Sequence, residues 1–128
     1  MREILFRGKS ANTRKWIIGD YEHFYLSDGE LVVYISEWGE RNDKVFPETV
    51  GQYTGLTDKN GKRIFEGDIV RVDDTENAVV EYDETSAFYM VVFDRAESDF
   101  GSLIEQYPNV EVIGNIHDNP ELLKGADR

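Results

Sequence analysis

Glu66-Gly67-Asp68-Ile69-Val70-Arg71-Val72 decides how this chain folds. β-Branched residues dominate the run, apolar and polar side chains alternate along it, and a glycine stands where the backbone has to turn into it. The two-residue period returns in Ala78-Val79-Val80-Glu81-Tyr82 and in Val110-Glu111-Val112-Ile113-Gly114. Ala87-Phe88-Tyr89-Met90-Val91-Val92-Phe93 is apolar on both faces, the pattern of a strand that is central or lies under the N-terminal half. Asp83-Glu84-Thr85-Ser86 supplies the turn before it.

Working back from this segment, Val50-Gly51-Gln52-Tyr53-Thr54-Gly55-Leu56 is short and punctuated by glycine. Asp58-Lys59-Asn60-Gly61-Lys62 predicts a two-residue type I′ hairpin centred on Asn60-Gly61, because both residues tolerate positive φ. Further back lie Ile4-Leu5-Phe6, Trp16-Ile17-Ile18, Phe24-Tyr25-Leu26 and Leu31-Val32-Val33-Tyr34-Ile35, separated by polar turns at Ser10–Thr13, Gly19-Asp20 and Ser27-Asp28-Gly29. That is a meander of about four strands. Glu37–Lys44 reads as a charged loop or hairpin tip. Working forward, Ser102-Leu103-Ile104-Glu105 fits a capping box and a short helix. Asn119-Pro120-Glu121-Leu122-Leu123-Lys124-Gly125 has the cap, first-position proline and terminal glycine of a short helical turn. The expected fold is therefore mostly β. Residues 1–49 form an N-terminal β-meander. Residues 50–125 form an SH3-like small barrel with an insertion at 94–108 and a short C-terminal helical turn, and 126–128 fray.

The net charge is −12 and is unevenly spread. Residues 1–20 hold five basic and two acidic side chains, whereas the remaining 108 hold nine and 24. So acidic a body repels nucleic-acid phosphates and anionic membranes, so neither is expected as a direct partner. No cysteine is present, which excludes disulfides, thiolate metal sites and a cysteine nucleophile. No apolar run approaches the roughly 20 residues of a membrane span, and residues 1–20 lack the apolar stretch of a secretory signal.

Catalytic chemistry is not written in this sequence. His23 and His117 are far apart and read as surface histidines rather than zinc ligands or bases. Asp58-Lys59-Asn60-Gly61 begins like a calcium loop, but Lys62 and Ile69 stand where that loop needs an oxygen ligand and a glutamate. Asp73, Asp74, Glu76, Glu81, Asp83 and Glu84 read as a charged rim rather than a cation site. There is no nucleophile elbow, phosphate loop or dinucleotide fingerprint. No catalytic, cofactor-binding or metal residue is therefore assigned, no cofactor is expected, and the chain reads as a non-enzyme.

Three segments resemble the YopX family of small proteins encoded mainly by bacteriophages and prophages. They are Met1–Lys9 with Trp16–Asp20, Gly51–Lys62 with Ile64–Val70, and Glu111–Leu123. Together they span about half the chain, and the middle one is the most specific. The resemblance implies an SH3-like barrel in the second half and a phage or prophage origin, hence a cytoplasmic location in a bacterial host. It implies no activity and carries over no site residues. Residues 21–49 and 94–108 match nothing specific, which makes them the expected recognition segments. The candidate partner contacts are Trp38, Asp73, Asp74, Phe100 and Tyr107. The expected role is a protein-binding or assembly module for a host or phage partner, with homo-oligomerisation through strand edges as one form of it. The alternative is an acidic decoy that mimics DNA and inhibits a host DNA-binding protein.

Overall fold

A computed structural model describes residues 4–37, 41–74, 76–85, 87–93, 100–103 and 109–123. It is mostly β, as the alternating pattern predicts, with two antiparallel sheets. The chain divides into two compact units, Met1–Tyr53 and Thr54–Arg128.

In the first unit, β1 (Phe6–Lys9), β2 (Trp16–Tyr25), β3 (Leu31–Glu37) and β4 (Arg41–Val45) follow one another as a meander. β2 is longer than its sequence suggests. Its first four residues pair with β1, from Lys9↔Trp16 to Phe6↔Gly19. Its last six pair with β3, from Asp20↔Ser36 to Tyr25↔Leu31. Gly19-Asp20 is therefore no turn. Glycine is there because the neighbouring backbone passes so close that a Cβ would overlap the Ser36 carbonyl oxygen. β4 corrects the reading of residues 41–44 as loop: its polar sequence is that of a strand at the sheet edge. The end of β4 returns to the end of β1 through a Ser10↔Val45 bridge. The Ala11 amide donates to the Lys44 carbonyl (2.8 Å) and the Phe46 amide to the Lys9 carbonyl (2.9 Å). A short 3-10 turn, Pro47–Thr49, is held to β1 by the Thr49 hydroxyl, which accepts from the Lys9 amide at 2.9 Å. Ile17, Val33, Ile35 and Val45 are buried inside, with Phe6, Tyr21, Leu31 and Val50 packed around them. Each such aliphatic side chain contributes about 1.5–3 kcal/mol by leaving water.

β5 (Gly51–Thr57) starts beside β1 in the first unit, where Gly51 pairs with Arg7 and Gln52 with Phe6, and runs on into the second unit to neighbour β6 (Arg63–Phe65). The second unit's other sheet has the order β10-β9-β8-β7-β11. Its strands are β7 (Asp68–Val72), β8 (Glu76–Asp83), β9 (Phe88–Phe93), β10 (Phe100–Ser102) and β11 (Val110–Asn115). Four of these lie where the alternation puts them, and β9 is an inner strand between β8 and β10, with Val91 and Phe93 buried and its other residues half-buried. Among the described residues no ladder joins β10 to β11, so the arrangement is barrel-like without being a closed barrel. Ile64, Val70, Val72, Ala78, Val80, Val91, Phe93, Leu103 and Val110 form its core.

Two local expectations change. The turn at Asp58–Lys62 is not type I′, because Gly61 has φ +84° and Asn60 is not in the positive-φ region. Ser102 ends β10 and the next residue, Leu103, is helical, where the capping box starts its helix; residues 104–105 lie outside the described residues. The C-terminal turn is present as a 3-10 turn over Pro120–Leu122, but the Asn119 side chain does not cap it. Its Oδ1 instead accepts from the Asn115 amide at 3.2 Å, while Asn115 Oδ1 accepts from the His117 and Asp118 amides.

Candidate functional site

Asp58 organises one end of the second unit. Its carboxylate is buried and accepts from three backbone amides: Asn60 (2.9 Å) and Lys62 (2.8 Å) through Oδ1, and Val112 (2.9 Å) through Oδ2. The Lys59 amide also donates to the Val110 carbonyl, at 3.1 Å. The turn thus lies along β11, and a carboxylate serves that strand in place of a backbone acceptor. β11 is bulged here, its register shifting between Val112 and Gly114. Burial pushes the Asp58 carboxyl up, but the Val112, Lys62 and Asn60 amides and the Lys62 charge outweigh it and hold the group below its ordinary value.

Asp73 and Asp74 stand beside this turn. Both have positive φ (52° and 63°), a conformation aspartate adopts more readily than most residues, so the β7–β8 hairpin accounts for them before any ligand does. Asp74 accepts from Lys59 Nζ at 3.0 Å, and Glu111 lies 4.0 Å from the same ammonium. The Asp74 hydrogen bond and the surrounding carboxylates raise the Lys59 pKa. The remaining acidic residues do not join them: Glu81, Asp83 and Glu84 lie toward the other end of β8, and Glu76 and Asp83, its two ends, are roughly 23 Å apart at strand spacing. Among the described residues, no three histidine or carboxylate side chains gather to hold a metal ion. Trp38 and Tyr107 lie outside the described residues. Phe100 opens β10, beside Val92 of β9.

A small groove of about 230 Å³ lies in the second unit, lined by Thr54, Leu56, Phe88, Tyr89, Ser102 and Leu103. It is smaller than the roughly 300–1,000 Å³ of small-molecule sites. The Thr54 hydroxyl inside it already donates to the Ile64 carbonyl at 2.8 Å.

The feature that sequence reading missed is in the first unit. Phe24, Tyr25 and Leu26 are all exposed at the end of β2, Tyr25 by 66%. Phe24 stacks on Tyr34 (centroids 5.8 Å), while Phe6, Tyr21, His23 and Tyr25 form a ladder of rings 5.0–6.1 Å apart. The ladder begins at the core and ends in solvent. Its signal was in the sequence: three consecutive large apolar residues in a strand cannot all face one core. Their position just before Ser27-Asp28-Gly29 puts them at a hairpin tip, where the Leu26 amide donates to the Glu30 carbonyl (2.8 Å) and Gly29 has φ +90°. Among the described residues, no helix is long and apolar enough to cross a membrane.

No curated protein matches the chain. Among solved structures, it is similar to protein EF1440 from Enterococcus faecalis, at 23% identity and TM-score 0.55, covering 97% of this chain and 100% of that one. It is similar also to protein yopX from Bacillus subtilis, at 18% identity and TM-score 0.51, covering 98% of each chain. At these identities the likeness concerns the fold. The YopX protein family matches residues 5–124, nearly the whole chain, and the protein belongs to that family.

Proposed function

We propose that this YopX-family chain is a phage- or prophage-type accessory protein that works as a non-enzymatic protein-binding or assembly module. The observation that carries the reading is the solvent-facing aromatic tip of the β2–β3 hairpin, Phe24-Tyr25-Leu26. Ring contacts cover part of Phe24 and Tyr25, yet all three side chains stay exposed, and large apolar groups left exposed together serve contact. The tip falls inside residues 21–49, which hold none of the three motif segments quoted from the sequence, and loops and hairpin tips are where recognition is expected to vary.

Immobilised protein challenged with bacterial lysate tests this. Wild type is expected to retain a discrete partner that Phe24→Ser/Tyr25→Ser loses and that Asp73→Asn/Asp74→Asn keeps. Identical capture by wild type and the hairpin variant would sink the reading. The acidic-decoy alternative gives a different result: capture that falls steeply with salt, is displaced by duplex DNA, and is lost on neutralising acidic residues.

A further inference from the structure

Over residues 20–25, one edge of β2 faces no strand among the described residues. The two ladders of β2 agree on which backbone groups point where. Ser10 donates to the Lys15 carbonyl, so Lys15, Ile17 and Gly19 direct their amides and carbonyls toward β1. Leu26 donates to the Glu30 carbonyl, so Leu26, Phe24, Glu22 and Asp20 direct theirs toward β3. Tyr21, His23 and Tyr25 therefore point to the β1 side, but β1 ends its pairing at Phe6↔Gly19. Among the described residues no strand pairs with that side of 20–25, and Glu22, His23, Phe24 and Tyr25 are exposed.

We infer that this edge pairs antiparallel with the same edge of a second copy, about a two-fold axis at His23. Parity requires only that Tyr21, His23 and Tyr25 face odd-numbered residues, so the axis can pass through any residue from Tyr21 to Tyr25. Charge then chooses among them. An axis at Tyr21 sets Asp20 opposite the other copy's Glu22, one at Glu22 sets the two Glu22 carboxylates opposite each other, one at Phe24 sets Asp20 opposite Asp28, and one at Tyr25 sets Glu22 opposite Asp28. Like charges directly opposite are destabilising. With His23 at the axis, Glu22 meets Phe24 and Asp20 meets Leu26, so every acid faces an apolar residue. Tyr21 meets Tyr25 in both directions, and the two ring ladders run on into one another. About six backbone hydrogen bonds form, two for each of the three outward pairs. A parallel arrangement would instead bring each Glu22 beside its own copy. The contact is isologous and closes on itself, so it yields dimers and not fibres.

This inference deepens the assembly reading above and rests on it, with a second copy as the partner. Light scattering across a hundredfold dilution series tests it on the full chain, whose mass is 14.8 kDa. Wild type is expected to move between one and two copies. His23→Glu puts two carboxylates face to face at the axis and is expected to weaken association at least about tenfold. Phe24→Lys places an ammonium opposite Glu22 twice per dimer and is expected to tighten it, a gain that registers centred on Tyr21, Phe24 or Tyr25 do not predict; the register centred on Glu22 is separated by His23→Glu, which it would leave opposite Tyr21. Hydrogen exchange gives a further readout: the amides of Tyr21, His23 and Tyr25 gain protection with concentration, while those of Glu22 and Phe24 are protected throughout and report that the hairpin is folded. Monomer at every concentration, unaltered dimerisation of a folded His23→Glu, or odd-residue protection independent of concentration overturns the self-pairing. His23→Glu keeps Phe24, Tyr25 and Leu26, so lysate capture by that variant separates the two readings: a monomeric His23→Glu that still retains the partner upholds the tip as a contact independent of self-pairing.

Discussion

Three backbone amides converge on Asp58, and removing its charge shows what they are worth. Asp58→Asn keeps one acceptor oxygen and leaves at least one of the Asn60, Lys62 and Val112 amides without a partner. The expected cost is about 2 kcal/mol, measured by urea denaturation at neutral pH. The pH dependence has a definite sign. A carboxyl held below its ordinary value gives stability that is fully present above the unfolded-state value near pH 3.9 and is lost as the pH falls toward the folded-state value. Wild type is therefore expected to lose stability in that acidic window more steeply than Asp58→Asn. Asp74→Asn makes a contrast. It breaks the exposed pair with Lys59 but retains a residue that tolerates positive φ, so the thermal midpoint should stay unchanged at low and at high salt. Of these residues, Asp73 and Asp74 drew notice as a charge cluster, whereas Asp58 was read only as part of a hairpin. Charge density is visible along a chain. The arrival of Val112 from 54 residues away, which makes Asp58 matter, is not.

Among the elements, β2 is the one whose length was hidden. Gly19-Asp20 has turn composition, and only the approach of β3 shows why a glycine is needed inside a strand. Gly19→Ala is expected to cost about 1–3 kcal/mol, because the backbone of one strand has to shift, and urea denaturation with circular dichroism would register it. If Gly19 were a turn residue the cost would depend on its φ instead. β7, β8 and β11 are legible because period two survives in their sequences, and β9 because its β-branched and aromatic run is apolar throughout. β4 is not: Arg41-Asn42-Asp43-Lys44 has no apolar alternation, and its pairing with β3 and the buried Val45 at its end make it a strand. β10 was hidden in the same way, three residues long inside a segment read as an insertion. The aromatic tip is legible as strand but not as surface, because a run of apolar residues has the same signature in a core strand as at an exposed hairpin end.

For the whole molecule, a net charge of −12 on 128 residues is a source of self-repulsion. Raising sodium chloride from about 20 to about 300 mM shortens the screening length and is expected to raise the thermal midpoint. A fall in the midpoint would mean that favourable ion pairs outweigh the repulsion. The bridge between Ser10 and Val45 reaches beyond equilibrium stability. The hairpin at Leu26–Glu30 is local and can form early, but Ser10 and Val45 are thirty-five residues apart and must wait for the strands between them. Their meeting falls after the rate-limiting step of folding on this view. Val45→Ala should then hasten unfolding several-fold in stopped-flow experiments and barely slow refolding. The lifetime of the native first unit, rather than the speed with which it is reached, is governed by the seam where its last strand finds its first.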